Sequence, residues 1–384
     1  MGILNGISGL KNIGIIGAGN LIGSAISALF WIFLASLLGA ENYGELGYYI
    51  SLAGIATSIS FIGGPMAITV LTAKNVKIES TIFLLSISGS IISAIILYIA
   101  FMNIGLSVYV LGAVIYNLAS AELLGRKFYK KYSAYFILQK ILFVIFSLVF
   151  YYIMGPEGVL LGIGLSFLIF IERIYNGFRN SKLDFPLLKT KFKFLANNFF
   201  LDLSWILDRQ IDKLLIGPIF GFTILGNYYL AIQLLNMLAV FPSIVTKYTL
   251  PEDASGTNTK KIKLLTVLFS VVLALIGFFV LPMIVPIFFP EYTETLEVIP
   301  IISLCIIPTT ISTLYISQFL GKEKSGYLVF TSVTSIIVLI VGILTLGQLF
   351  GIIGLVFSLL ISDIFRAVLL FLLTYFQKNH VKTL

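Results

Sequence analysis

Residues 194–218, FLANNFFLDLSWILDRQIDKLLIGP, are long and apolar enough to cross a bilayer, yet they carry Asp202, Asp208, Arg209, Asp212 and Lys213. A charge at the centre of a transmembrane helix costs roughly 2.5–3.5 kcal/mol on insertion scales, so five at the midplane would cost about 12–17 kcal/mol. The twelve Leu, Ile and Phe residues of the stretch return only about 0.3–0.6 kcal/mol each, ~4–7 kcal/mol together. Apolar gain alone cannot hold this helix in lipid. Its charged side must face other helices or a water-filled cavity, and such a cavity is a functional site by default.

The rest of the chain gives this helix its setting. Of 384 residues, 59% are hydrophobic and 11% charged, against about 25% charged in a soluble protein, and the mean hydropathy is +1.05. This is a polytopic membrane protein. Its first apolar segment, from about Ile13 to Gly39, is too long for a signal-peptide core and reads as a signal anchor. A single cysteine, Cys305, excludes disulfides and a cysteine metal site, and a single histidine, His380, removes His-based catalysis and zinc sites. Nucleotide-binding, EF-hand and HExxH motifs are absent, so no ATPase is encoded in the chain and no cofactor is implied.

Apolar runs of about 20 residues, the length a crossing needs, occur at 12–38, 45–73, 80–101, 104–125, 134–154, 156–178, 194–218, 223–247, 263–288, 296–320, 325–347 and 350–376. These are twelve crossings of an all-α fold. Of the 25 Lys and Arg residues, all but Arg209 and Lys213 are assigned to the termini and the even-numbered loops, Lys140 and Arg366 among them. The odd-numbered loops hold Glu41, Glu45, Glu157, Glu291, Glu294 and Glu297 instead. Cytoplasmic loops retain Lys and Arg, so both termini are expected in the cytoplasm. This distribution accounts for the net charge of +8 without a nucleic-acid partner.

The basic connection at 179–193 divides an N-terminal lobe, 1–178, from a C-terminal lobe, 194–384. LLGAENYGELGYY (37–49) is echoed by IFGFTILGNYYLA (219–231), with Gly39 and Gly44 matching Gly221 and Gly226, and Asn20 falling opposite Asp202. Each half has an even number of crossings, so the repeats run parallel about an axis along the membrane normal, with a binding site expected where they meet near the midplane. Gly19 and Gly23 read as close helix packing, and Asn20 either lines a cavity or ties two helices together. Gly63-Gly64-Pro65 marks a bend. The 125–136 loop combines basic and aromatic residues, as a topology signal or an anionic-lipid contact. Glu122 and Glu172 are expected to pair with Arg126 and Arg173. Tyr43, Tyr48, Tyr49, Tyr228 and Tyr229 read as an interfacial belt, and residues 250–261 as an exposed, flexible loop.

The two six-helix halves, the paired Gly-x4-Gly at 39–44 and 221–226, Phe289-Pro290-Glu291-Tyr292 and Gly351-Ile352-Ile353-Gly354 resemble the polysaccharide-transporter branch, with its O-antigen flippases, of the multidrug/oligosaccharidyl-lipid/polysaccharide (MOP) exporter superfamily. The resemblance implies a V-shaped, MATE-like transporter in the cytoplasmic membrane. It would move undecaprenyl-pyrophosphate-linked oligosaccharide, an O-antigen, capsule or exopolysaccharide unit, from the inner to the outer leaflet of the lipid bilayer. It implies a Na⁺ or H⁺ gradient as driving force, and polysaccharide polymerase and glycosyltransferases as further partners. The alternatives are a multidrug cation exporter on the same architecture and a membrane glycan polymerase or ligase. The latter needs an external domain that these short loops do not supply.

On a helical wheel Asp202, Arg209 and Lys213 fall within about 40° of one another, with Asn198 and Trp205 between and Asp208 and Asp212 on the adjoining face. The expectation is that Arg209 and Lys213, with Asn20 and Trp205, contact the pyrophosphate-linked glycan. One of Asp202, Asp208 and Asp212 would take the coupling ion. The bland reading is that Asp208 and Asp212 neutralise Arg209 and Lys213 within the helix.

Overall fold

The computed structural model describes residues 2–255, 259–321 and 325–382, and every regular element among them is a helix. Lys322 and Lys324, two of the cations assigned above to the even-numbered loops, lie outside the described residues, as does part of the 250–261 loop. The helices are α1 (Gly2–Ser60), α2 (Gly64–Ala73), α3 (Glu79–Phe101), α4 (Ile104–Gly125), α5 (Tyr129–Met154), α6 (Pro156–Ser166), α7 (Ile171–Asn180), α8 (Phe185–Phe220), α9 (Phe222–Leu238), α10 (Val240–Ser255), α11 (Lys260–Phe279), α12 (Leu281–Phe288), α13 (Thr293–Leu304), α14 (Ile306–Gly321) and α15 (Ser325–Lys382). A short 3₁₀ turn joins α6 to α7.

Seven helices among the described residues are long and apolar enough to cross a membrane, or nine with two bent pairs counted as spans. Two of the seven, Gly17–Ser60 and Gly326–Phe376, are 44 and 51 residues long, about twice a crossing. Each is broken inside by a glycine, Gly39 (φ 72°, ψ 170°) and Gly351 (φ 57°, ψ −137°). Counting these as two apiece gives eleven, and α8, too charged to pass as apolar, completes the twelve segments read from the sequence. The 179–193 connection is mostly helical; only residues 181–184 separate α7 from α8.

The internal repeat is written in the backbone. Gly39 ends one crossing at φ 72°, ψ 170°, and Gly221 ends its repeat mate at φ 97°, ψ 157°. Both are conformations that a Cβ disfavours. Gly44 and Gly226, five residues further on in each repeat, pack directly on each other. A Cβ on Gly44 would lie 2.6 Å from the Gly226 nitrogen, and one on Gly226 would strike the Ala40 carbonyl. The same backbone-on-backbone approach recurs where Gly158 meets Phe150 and Gly354 meets Leu346. The bend at 63–65 is a true break. The helix stops at Ser60, Gly63 and Gly64 adopt φ 88° and 69°, and Pro65 sits in the first turn of α2. Gly19 and Gly23 do pack closely, against Ser133 and Phe136 of α5.

Packing groups the chain into two units, residues 1–31 with 49–206 and residues 32–48 with 207–384. This partition differs from the lobes drawn at the basic connection, because 32–48 packs with the second unit and 194–206 with the first. Phe61, Ile68, Phe83, Val114, Leu118, Phe170 and Leu195 centre the first core. Ile216, Leu225, Tyr228, Val298, Ile302, Ile343 and Leu355 centre the second. Other apolar faces are exposed among the described residues. On α3, Ile91, Ile92, Ile95, Ile96 and Ile99 are exposed, and on α11 so are Leu264, Leu265, Leu268, Val272 and Leu275. Continuous apolar stripes of this kind mark contact with lipid.

Two expectations need correction. Tyr43 and Tyr228 are wholly buried and Tyr229 nearly so, with the Tyr43 and Tyr229 rings 5.0 Å apart. They are core residues rather than an interfacial belt, because the glycine turns press these helix ends together. Residues 250–255 belong to α10 rather than to a flexible loop. Asp253 there accepts hydrogen bonds from Thr259 (2.7 Å), Lys263 (2.6 Å) and Ser317 (2.9 Å), tying α10 to α11 and α14. Partial burial raises the Asp253 carboxyl, but these three donors outweigh it and hold the group below the usual carboxylate range.

Candidate functional site

The charged helix of the opening is α8, which contributes residues 185–206 to the first packing unit and 207–220 to the second. In the first unit, Asp202 accepts a hydrogen bond from the Ser58 hydroxyl at 2.8 Å. It lies over the α1–α2 break, where a Cβ on Gly64 would come within 3.2 Å of its own Cβ. Gly63, Gly64, Asn198, Leu201, Asp202 and Trp205 line a small pocket there. The break makes the pocket possible, since two glycines leave room that side chains would fill. Asn198 donates to the Phe194 carbonyl at 2.9 Å, which leaves its amide oxygen available. Among the described residues Asp202 has no cation partner. Asp202 lies 19 residues before Gly221, ~28 Å along the helix, close to the far end of a ~30 Å hydrocarbon core.

Asn20 is not in this pocket. It is half-buried, and its side-chain oxygen faces the Tyr132 hydroxyl at 3.4 Å, which fits the helix-tying alternative.

In the second unit the charges find partners that helix spacing does not indicate. Asp208 is bound bidentately by Arg366 of α15, whose guanidinium also donates to Ser335 at 3.0 and 2.7 Å. Asp212 accepts from Lys213 at 2.9 Å and from the Tyr228 hydroxyl at 2.9 Å. Lys213 is buried, with its ammonium also on the Arg209 carbonyl at 2.6 Å. Arg209 is exposed and makes no hydrogen bond or ion pair with its side chain among the described residues. Arg209 lies 12 residues from Gly221, ~18 Å along the helix. A guanidinium at that depth is costly in lipid and marks a candidate functional residue.

The structure therefore does not bring Arg209 and Lys213 together as an open cationic pair. The wheel places them on one face, but it gives azimuth, not neighbours, and the core of the second unit closes over Lys213. Nor are Asp208 and Asp212 intrahelical partners of Arg209. Asp208 reaches a helix 158 residues away instead.

The count of cations inside the membrane also changes. Arg366 lies 15 residues past Gly351, ~22 Å into its crossing, and Lys140 11 residues past the start of α5, ~16 Å along it. Neither is a loop residue. The Lys140 ammonium stands over the rings of Phe136 and Phe143, 5.4 and 5.6 Å from their centroids. Both were counted with loop cations because Lys140 follows the basic 126–131 cluster and Arg366 precedes the C-terminal Lys378 and Lys382. Glu122 does pair with Arg126 (2.5 Å), but Arg173 binds it as well (2.7 Å). Glu172, expected to pair with Arg173, accepts from Tyr135 at 3.1 Å. Asp363, which the sequence reading did not single out, accepts from Thr309 at 3.0 Å.

Comparison with known proteins gives this arrangement a context. The family model described as "Polysaccharide biosynthesis protein" matches residues 104–295, half of the chain. No curated protein matches. Among solved structures, an inward-facing multidrug resistance MATE family transporter of the MOP superfamily aligns with TM-score 0.74, 13% identity, and coverage of 94% of this chain and 96% of that one. An outward-facing transporter of the same description aligns at TM-score 0.64 and 15% identity, covering 97% and 96%. A MOP superfamily transporter from Pyrococcus furiosus, for which a reversed polarity of the binding pocket suggests a different function, aligns at TM-score 0.60 and 15% identity, covering 97% and 96%. At such identities the structural likeness establishes the fold, and the family model establishes the lineage. The chain belongs to the polysaccharide biosynthesis protein family and carries the fold of the MATE transporters with which it aligns.

Proposed function

We propose that this protein is a flippase that moves undecaprenyl-pyrophosphate-linked oligosaccharide from the inner to the outer leaflet of the cytoplasmic membrane by alternating access. Both termini face the cytoplasm, and a Na⁺ or H⁺ gradient supplies the driving force. Glycosyltransferases supply the lipid-linked glycan and a polymerase consumes it on the other side. The chain itself performs no covalent chemistry, and it has no nucleic-acid partner.

Arg209 is the observation that carries this reading. A guanidinium exposed near mid-membrane, with no side-chain partner among the described residues, suits an anionic ligand, and its planar donors match a phosphate bidentately. A multidrug cation exporter, the alternative on this architecture, gains nothing from an unpaired cation there. Lys213, spent on Asp212, acts by holding that part of α8 in place. Asn198 and Trp205, beside Asp202, supply an amide oxygen and an indole face suited to a sugar. Asp202 is the one carboxylate of the three with no cation, which suits it to take the coupling ion.

The test is surface-polysaccharide assembly in cells whose only copy of the protein carries Arg209→Ala. Loss of one charge-assisted contact, ~1.5–3 kcal/mol, should cut assembly by about tenfold or more at unchanged protein level. Full assembly by that variant would remove Arg209 from the mechanism.

A further inference from the structure

The first packing unit gathers the α2–α3, α4–α5 and α7–α8 connections at one end, and the first turn of α3 ties the other two to its own. Glu79 takes the Arg126 guanidinium of the α4–α5 connection at 2.5 Å. Ser80 and Ser181 of the α7–α8 connection are hydrogen-bonded through their hydroxyls at 2.7 Å. The Thr81 hydroxyl accepts from the Asp184 backbone N–H at 2.8 Å, where α8 begins. The acids of this end are spent on the fold. Glu79 and Glu122 are buried, and Glu122 pairs with Arg173 (2.7 Å) as well as Arg126 (2.5 Å). Asp184 accepts from the Leu187 backbone N–H at 2.8 Å, and Glu172 from the Tyr135 hydroxyl at 3.1 Å. Other cations are turned outward. Lys77 on the first connection, Lys127, Lys130 and Lys131 at the second, and Arg179 and Lys182 at the third are all exposed. Lys127 is the telling one. Its backbone N–H donates to the Leu124 carbonyl (3.0 Å) and that of Phe128 to the Leu123 carbonyl (2.9 Å), a Schellman turn closing α4. Lys127 occupies the left-handed position of that turn, with φ 61°, where glycine is favoured. A topology signal needs a charge only somewhere in the loop, so it gives no reason for a lysine at the one strained position.

We propose that this end of the first unit is a docking surface for the headgroups of anionic phospholipids, with Lys127, Lys130, Lys131, Arg179 and Lys182 as its contacts. Charge complementarity selects the partner, since the exposed cations face outward while the acids are held by the fold, and basic residues beside a bilayer attract acidic lipids. Phe128, Tyr175, Phe178 and Leu183 are exposed among these cations. Such side chains settle at the boundary between headgroups and acyl chains, which favours a lipid surface over an acidic protein in water. Phe128 lies under both the Arg173 guanidinium (5.9 Å) and the Lys131 ammonium (5.5 Å). The buried ion network therefore fixes the ring around which the outward lysines are set. This surface is independent of the transport reading and of the charges on α8.

Thermal unfolding of the full-length protein in detergent, titrated with phosphatidylglycerol or with phosphatidylcholine of the same acyl chains, reads the interaction. Phosphatidylglycerol should raise the wild-type midpoint at low salt, phosphatidylcholine should raise it less, and added salt should shrink the difference. Each contact cation removed should raise the half-saturating phosphatidylglycerol concentration by about fivefold. Lys127→Gly separates charge from structure. Without lipid its midpoint should equal or exceed that of wild type, because glycine suits the turn, while its response to phosphatidylglycerol weakens. Should Lys127→Gly fail to fold, the double variant Lys130→Gln, Lys131→Gln takes its place and should show the same weakened response. A wild type that responds equally to the two lipids overturns the proposal, as does a folded variant that keeps the full response. So does a wild type stabilised by soluble pyrophosphate and not by phosphatidylglycerol, which would assign the surface to the lipid-linked substrate.

Discussion

Arg209 and Lys213 sit four residues apart on one helix, yet they call for opposite experimental signatures. Lys213 is buried against Asp212, so Lys213→Met leaves a carboxylate without its cation, a loss of about 3–5 kcal/mol for a buried pair. The expected result is a clearly lowered melting temperature in detergent. Arg209→Ala removes no contact within the described residues, so its melting temperature should match wild type while assembly falls. All five charges of residues 194–218 were legible in the sequence, and so was the need to shield them. Their partners were not. Tyr228 looked like an interface residue, and Arg366, far along the chain, was counted with the C-terminal cations as a topology signal. Pairing of this sort depends on tertiary packing, which helix periodicity does not encode.

The crossings themselves were legible, because a run of about 20 apolar residues has few alternatives to a membrane helix. The breaks were partly so. Gly39 and Gly221 announced themselves by repetition, and the structure adds the reason Gly44 and Gly226 accompany them, a backbone contact with no room for a side chain. Gly226→Ala should therefore overpack the helix ends and cost about 1–3 kcal/mol, read as a lower thermal midpoint; Gly155→Ala, with nothing near its Cβ, probes the turn backbone without that clash. The α10–α11 connection was misread, because turn-forming residues outweighed the tertiary tie at Asp253. That tie has a pH dependence of definite sign. The folded carboxyl lies below its unfolded value of about 3.9, so its contribution is complete above roughly that pH and fades as pH falls through the folded value. Hydrogen exchange of residues 259–263 should quicken below about pH 4 in wild type, whereas Asp253→Asn should show the faster exchange already at neutral pH.

For the whole molecule, composition and an internal repeat led to twelve crossings in two halves, and the family resemblance led to the fold that the structural relatives share at 13–15% identity. Substrate is a separate matter from fold. In this chain the exposed charge near the middle of α8 that has no side-chain partner among the described residues is the cation Arg209. The most direct test of the account is flipping of a fluorescent undecaprenyl-pyrophosphate-linked glycan by the purified protein in liposomes, with and without an imposed Na⁺ or H⁺ gradient. The account calls for protein-dependent translocation that one of the gradients accelerates and that Arg209→Ala abolishes. Liposomes that leave the glycan in its original leaflet while expelling organic cations would contradict it.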